Sequence, residues 1–318
     1  MKFATIGHLL VKSDIEQFPK SWVSEKLIVS PEVTINGTSG YIAGLTLTAQ
    51  QMMDLPKVTV RKKILDAALR IQNEFDVELI QLGALTTSVT NGGIWLTEQK
   101  EYSGFINHGD SYTAAVTCQA VLKALKLLHR RSSDQVIAIV GAYGIIGEAI
   151  SKLLVPQFYH SILIGRRLEK LKKLEENLQG NFETTINLKT KEADIIVTAT
   201  SHPTALLSSN HLKKDAIVVD VSQPPNLSDD ICEKRPDISR IDGGLVDFPV
   251  KIPIPTMPVG KNFACIVEVI MQALENEPNN HVGSIDLAHL QRTEMWAKKY
   301  GFTLNELTNF GKTINKFQ

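Results

Sequence analysis

Short unbroken apolar runs, bounded by glycine, proline or polar stretches, alternate along this chain with longer segments in which apolar residues recur every three or four positions. The first rhythm suits strands buried on both faces, the second amphipathic helices. Residues 136–150, V-I-A-I-V-G-A-Y-G-I-I-G-E-A-I, join the two directly as a buried strand, a glycine turn and the start of a helix. Further strands are expected at 161–165, 193–200, 216–220 and 238–242, a weaker one at 181–188, and a periodic helix at 168–178. Strand and helix patterns in that order predict a parallel sheet with right-handed crossovers. The expected fold class is α/β: a Rossmann-type doubly wound parallel sheet over residues 132–244, with a second α/β domain beside it in the sequence.

That second domain is read from the flanks. Residues 1–131 suggest strands at 3–7, 42–47 and 77–82 and a helix at 57–73 carrying Val60, Ile64, Leu65, Ala68 and Ile71 on one face. The polar segment L-T-T-S-V-T-N-G-G at 85–93 fits either a substrate-facing rim or an ordinary turn. N-H-G-D-S-Y-T at 107–113 leads into a helix at 114–129, with Asp110, Ser111 and Thr113 all competent to cap it. After Gly244 the pattern changes: Pro249, Pro253, Pro255 and Pro258 dictate an extended connection, followed by helices at 262–274 and 286–300. These helices do not continue the nucleotide sheet, so residues 245–318 are expected to complete the first domain.

Composition narrows the function. A chain of 318 residues, 43% apolar and 21% charged, has enough material for about two packed domains. Basic and acidic residues balance at 34 each and aromatics are only 6%, which argues against a nucleic-acid partner. The opening M-K-F-A-T-I-G-H-L-L-V-K reads as a strand rather than a signal peptide, and no apolar run is long enough to span a bilayer. Any membrane contact is therefore expected to be weak and peripheral. Three scattered cysteines, Cys118, Cys232 and Cys265, fit a reducing cytoplasm and neither a disulfide framework nor a metal cage.

The chemistry concentrates at a few positions. Gly141, Ala142, Tyr143, Gly144, Ile145, Ile146 and Gly147 form a G-x-x-G-x-x-G turn, a variant of the dinucleotide fingerprint, whose helix N-terminus offers amides to a pyrophosphate. Arg166 and Arg167 follow the second strand where an acidic residue would hold a 2′-hydroxyl; paired arginines suit a 2′-phosphate and favour NADPH over NADH. Thr198, Ala199 and Thr200 end the next long strand at the crevice where such sheets bind ligand. Cys265 falls in the first turn of an expected helix, where the dipole and nearby Lys261 favour a thiolate, although a free cysteine in such a position is more often simply packed. His108, beside a helix start, and Tyr112 are candidate proton donors.

Taken together, the residues resemble the long-chain fatty acyl-(acyl-carrier-protein) reductases, which form fatty aldehydes. The likeness runs through I-G-H (6–8), L-G (82–83), G-D-S-Y-T-A (109–114) with Cys118 following, and the glycine turn. It continues in I-D-G-G-L-V (241–246) and P-V-G-K-N-F-A-C-I-V-E (258–268). This resemblance implies that Cys265, with Phe263, Ala264 and Glu268 in place, is the nucleophile that takes the acyl group. It implies NADPH as reductant, a fatty acyl thioester of acyl carrier protein or coenzyme A as substrate, and an acyl-binding role for residues 1–131 with 245–318. The chain departs from the family at Asn107, His108 and Asp110 and between Pro249 and Val259, which bears on acyl length and carrier preference. The alternative is an NADP-dependent dehydrogenase of the shikimate-dehydrogenase type acting on a small carbonyl, with a polar cleft of convergent lysine and aspartate and with Cys265 merely packed. Glutamyl-tRNA reductase also pairs a thiol with NADPH, but its nucleophile lies in the N-terminal domain, where this chain has no cysteine before Cys118.

Overall fold

A computed structural model describes residues 1–202, 204–250, 252 and 259–315. The chain divides into two compact units, one of residues 1–112 and 248–302, the other of residues 113–247 and 303–318.

The first unit is built on a mixed six-stranded sheet. β1 (Phe3–Leu9) is its centre, flanked by β4 (Thr38–Thr48) and β5 (Leu79–Leu82), both parallel to it. β2 (Leu27–Val29) and β3 (Val33–Ile35) run antiparallel to β4, and β6 (Phe105–Asn107) runs parallel to β5. Helix α1 (Ala49–Asp54) begins in a capping box made by Thr48 and Gln51. Helix α2 (Lys57–Phe75) buries Val60, Ile64, Ala68 and Ile71, the stripe expected from their spacing, against Ala4, Ile6, Ala43 and Leu45 of the sheet. Each fully buried isoleucine contributes roughly 1.5–3 kcal/mol, enough to hold a helix of modest intrinsic propensity.

Two departures from the sequence reading matter. The polar segment 85–93 is no open rim: it contains a short helix, α3 (Leu85–Val89), and then α4 (Ile94–Thr97) follows. Thr86, Thr87 and Thr90 are buried, and their hydroxyls donate to backbone carbonyls of Gly83, Leu82 and Thr86. Threonine hydroxyls can satisfy buried carbonyls in this way, which a polarity scan cannot distinguish from exposure. Secondly, α5 (Asp110–Leu127) begins four residues earlier than its periodicity suggested. None of its own side chains is needed to start it, because the amide of Asp110 donates to Nδ1 of His108 at 3.0 Å and that of Tyr112 to Glu268 at 2.7 Å. The division between the two units falls inside this helix, after Tyr112.

The second unit carries six parallel strands: β7 (Val136–Val140), β8 (His160–Ile164), β9 (Phe182–Thr185), β10 (Ile195–Thr198), β11 (Ile217–Asp220) and β12 (Ser239–Asp242). Their spatial order is β9-β8-β7-β10-β11-β12, the doubly wound arrangement with its reversal between β7 and β10. Between them run α6 (Ile145–Leu154), α7 (Leu168–Glu175) and α8 (Asp229–Lys234). Ala138, Val140, Ile162, Ile164, Ile196 and Val218 form one buried face, which is why these strands read as continuous apolar runs.

The next short strands are β13 (Leu245–Asp247) and β14 (Lys261–Phe263). Most of the proline-rich connection, including Pro253, Pro255 and Pro258, lies outside the described residues. Helices α9 (Ala264–Leu274) and α10 (Leu287–Tyr300) belong to the first unit; α9 packs on β1 and β5, and α10 packs on α9. Residues 303–318 group with the second unit rather than with residues 248–302. The reason is local: the hairpin of β15 (Thr308–Asn309) and β16 (Lys312–Thr313) is held by the Asp242 carboxylate, which accepts from the Thr308 hydroxyl at 2.8 Å and the Phe310 and Gly311 amides at 3.1 and 2.8 Å. Buried Arg240 completes the joint, 3.9 Å above the Phe310 ring and 2.6 Å from Asp242. No helix among the described residues is long and apolar enough to cross a membrane.

Candidate functional site

In the second unit the glycine turn stands at the C-terminal end of β7. Gly141 has φ +89°, and a Cβ there would lie 2.2 Å from the Ala199 carbonyl oxygen; at Gly147 it would lie 2.1 Å from the Gly141 carbonyl oxygen. Both positions exclude any side chain, so the turn, the start of α6 and the end of β10 are locked together. Gly144 precedes α6, and the first amides of that helix have no intrahelical acceptor, a ready place for a phosphate. Ala142 and Tyr143 lie in the turn, and Ile145 and Ile146 open α6.

Arg166 and Arg167 are exposed at the end of β8. The Arg167 guanidinium lies 5.9 Å from the Tyr143 ring centroid and Lys170, from α7, lies 5.6 Å from the same ring. A cationic cluster thus borders the glycine turn, and Lys170 is a member the sequence reading did not single out. It sits one turn into an otherwise ordinary charged helix, a spacing that carries no signal until Tyr143 is placed. Thr198, which ends β10, and Ala199 and Thr200, which follow it, have different surroundings. Thr198 is buried and its hydroxyl donates to Asp220 at 2.6 Å, whereas Ala199 abuts Gly141 and Thr200 donates to Asn226 at 2.6 Å. The Thr198 hydroxyl is thereby committed within the protein, and Ala199 and Thr200 stand nearer the turn.

Cys265 lies in the first turn of α9, in the first unit, and is half-buried. Its backbone is pressed against Gly109: a Cβ built on Gly109 (φ +72°) would come within 2.4 Å of the Cys265 carbonyl oxygen and 2.6 Å of its Cβ. Only glycine fits there, and two helix N-termini, those of α5 and α9, are brought side by side.

Around this contact stands a cluster of buried titratable groups. Glu268, fully buried one turn beyond Cys265, accepts the Tyr112 amide at 2.7 Å and lies 3.0 Å from Nε2 of His289 in α10. Burial alone would push the Glu268 carboxyl upward, but its hydrogen bond with His289, the nearby imidazoles of His289 and His108 and the Tyr112 amide together hold it below the usual carboxylate range. Asp110 goes the other way: burial first, then the charge of Glu268, raises it well above an ordinary aspartate. Burial also lowers His108 to about 4, so its ring is neutral, and because Nδ1 accepts the Asp110 amide the proton sits on Nε2. Tyr112 is excluded as a mobile acid, since its hydroxyl donates to the Phe302 carbonyl.

The Cys265 thiol is pushed up to about 12, by burial foremost and then by Asp110 and Glu268, while the Ile266 and Cys265 amides pull the other way. The helix N-terminus therefore does not by itself yield a resting thiolate, as its position in the sequence suggested; two carboxyl side chains and desolvation outweigh it. Glu268 was noted from sequence only as part of the motif around Cys265, and His289 was not singled out. The available signal was an acidic residue on an otherwise apolar helix face, the kind that is buried only when paired.

At the far side of the cluster the His281 and His289 rings are stacked, with centroids 3.4 Å apart and planes 6° apart. Glu277, His281 and His289 each place one ligand atom within 4.8 Å of the others. Lone pairs lie in the imidazole planes, so stacked rings direct them side by side rather than at one centre, and Arg292 already stands 3.6 Å from Glu277 and 3.4 Å from His289.

Residues 123–242 match the family model described as shikimate / quinate 5-dehydrogenase. The chain is 26% identical over 281 residues to a long-chain acyl-[acyl-carrier-protein] reductase of Synechococcus elongatus, covering 81% of each protein. It is 25% identical over 256 residues to the aminotransferase PigE of a Serratia strain, covering 76% of this chain but only 30% of PigE. Among solved structures, L-tryptophan dehydrogenase of Nostoc punctiforme covers 95% of this chain and 84% of its own length at 12% identity and a TM-score of 0.45. The nucleotide-binding domain of glutamyl-tRNA reductase from Thermoplasma volcanium covers 40% and 84% at 19% identity and a TM-score of 0.30. With its glycine turn and strand order, the second unit is a Rossmann-type domain of the kind that binds pyridine nucleotides, and most of the chain is similar in sequence to a protein named long-chain acyl-[acyl-carrier-protein] reductase.

Proposed function

We propose that the protein is an NADPH-dependent acyl thioester reductase that releases a fatty aldehyde through a covalent acyl-Cys265. The observation that carries this reading is the placement of Cys265: a half-buried thiol in the first turn of α9, backed against Gly109, with a second helix N-terminus beside it. Similarity to the Synechococcus reductase across 81% of both chains supports it.

The chain's residues divide the work as follows. Cys265 takes the acyl group, splitting one difficult substitution into two easier ones. Backbone amides at the start of α9 would stabilise the developing oxyanion. The glycine turn would hold the pyrophosphate of the nucleotide, and Arg166, Arg167 and Lys170 would meet a 2′-phosphate. The cofactor, when bound, supplies the hydride.

Cys265→Ser tests the reading. Aldehyde formation from a long-chain acyl-carrier-protein or coenzyme A thioester is expected to vanish while NADPH binding stays within about twofold. Turnover by the serine variant at the parent rate would refute it.

A further inference from the structure

The thiol at the centre of that reading is protonated at rest, so its proton has to leave as it attacks. Resting on the assignment of Cys265 as nucleophile, we propose that Asp110 is the proton relay of the acyl-transfer step, a carboxylic acid that takes the thiol proton on one oxygen while giving its own to the departing sulfur from the other.

Geometry carries this assignment. Asp110 is the first residue of α5 and follows Gly109, whose backbone is in contact with the Cys265 backbone. The two residues therefore head two adjacent helices. Of the polar groups packed here, His108 is 1% exposed at its side chain, Glu268 0% and His289 1%, whereas the Asp110 side chain keeps 12%. Asp110 is thus the member of the group beside Cys265 that a bound thioester can reach. Its carboxyl receives no hydrogen-bond donor among the described residues, which leaves both oxygens free for exchange.

The groups that face Asp110 explain why it remains an acid. From the turn before α5, Nδ1 of His108 lies 3.9 Å from its Oδ2, but that nitrogen accepts the Asp110 amide and the ring is neutral, so it offers no cation. From α9 come Cys265, a neutral thiol at rest, and Glu268, an anchored carboxylate whose charge opposes a second negative charge nearby. From α10, His289 is engaged with Glu268 and stacked on His281. Glu268 is accordingly a positioning residue: it fixes the α5 N-terminus through the Tyr112 amide and keeps the neighbouring carboxyl protonated.

The step balances without a further reactant. The Cys265 sulfur forms a bond to the acyl carbon and the bond from that carbon to the carrier sulfur breaks. The S–H proton of Cys265 passes to Asp110, and the proton Asp110 held passes to the carrier sulfur. The products are acyl-Cys265, a free carrier thiol and Asp110 again protonated, with no oxidation or reduction.

Single-turnover acylation of the whole protein by palmitoyl-coenzyme A, followed by intact mass from mildly acidic to alkaline pH without NADPH, tests the relay. In the parent the rate constant is expected to be level at low pH and to fall as the pH rises through the elevated Asp110 pKa. Unassisted thiolate attack would instead climb tenfold per pH unit below the thiol pKa. Asp110→Asn, close in size and shape, is expected to acylate about 100-fold more slowly and to show that climbing profile. Glu268→Gln should move the parental fall to lower pH, an effect that loss of a purely structural contact would not produce. An Asp110→Asn variant that acylates within threefold of the parent with the same profile would overturn the relay and leave the Cys265 assignment standing. A parent profile that climbs with pH would also overturn it, whether or not any variant folds. Absence of any adduct on the parent would remove the Cys265 reading itself, and the relay with it.

Discussion

Replacing Gly109 with alanine offers a sharp test of how the site is built. The added Cβ would lie 2.4 Å from the Cys265 carbonyl oxygen, 2.5 Å from its Cα and 2.6 Å from its Cβ, and the backbone at Gly109 has φ +72°. Left-handed backbone costs an alanine about 1 kcal/mol. Relieving contacts that short requires the α5 and α9 N-termini to part, and such overpacking costs a further 1–3 kcal/mol or so. The total is about 2–4 kcal/mol. Gly301→Ala is the control, because Gly301 has φ +76° with nothing within 4 Å of an added Cβ, leaving only the backbone cost of about 1 kcal/mol. Chemical denaturation of the two variants, followed by a probe in the first unit, should separate them by about 1–3 kcal/mol. Because a displacement of about 1 Å at a reacting atom costs on the order of 100-fold, Gly109→Ala should also slow acylation of Cys265 by about that factor, and Gly301→Ala should not. Equal stabilities and equal acylation rates in the two variants would refute the argument that Gly109 sets the Cys265 backbone.

Other consequences follow from the same structure. Neutralising Arg166 and Arg167 together should weaken NADPH by about 10- to 100-fold, the worth of one charge-assisted bond, and change NADH little; equal losses in fluorescence titrations would contradict the 2′-phosphate assignment. Asp242→Ala removes the acceptor of three donors from the 308–311 turn and leaves buried Arg240 short of a partner, so a loss of about 3–5 kcal/mol and early proteolysis of the C-terminal hairpin are expected in limited trypsin digestion. His108, with its folded pKa lowered to about 4 from 6.5, contributes stability that is complete above 6.5 and lost as the pH falls to about 4. Asp110, raised on folding, works in the opposite sense and adds stability as the pH falls. Asp110→Asn should therefore steepen the decline in denaturation free energy between pH 7 and 4, and an unchanged slope would contradict this.

Much of the fold was legible because its determinants are local. Strands buried on both faces must be continuously apolar, so β7, β10 and β11 stood out, and the α2 stripe at Val60, Ile64, Ala68 and Ile71 could be read directly from its spacing. Gly141 and Gly147 were legible for the same reason, since backbone contacts there leave no room for a side chain. What escaped depends on partners far away in sequence. The start of α5 is set by His108 and by Glu268, 156 residues beyond the amide it accepts. The buried threonines of α3 look like a polar loop until the carbonyls they serve are placed. Cys265 was legible as a helix-start cysteine, but its high pKa was not, because the opposing carboxyl of Asp110 reaches it from another helix. The grouping of residues 303–318 with the second unit likewise depends on Asp242 and Arg240, more than sixty residues upstream.

Peptide-resolved mass spectrometry of the protein mixed with palmitoyl-coenzyme A tests the covalent route most directly. A palmitoyl group is expected on the peptide containing Cys265, stable until NADPH is added and then discharged as the aldehyde. Aldehyde formed without that adduct, or an adduct on Cys265 that NADPH leaves untouched, would contradict the account.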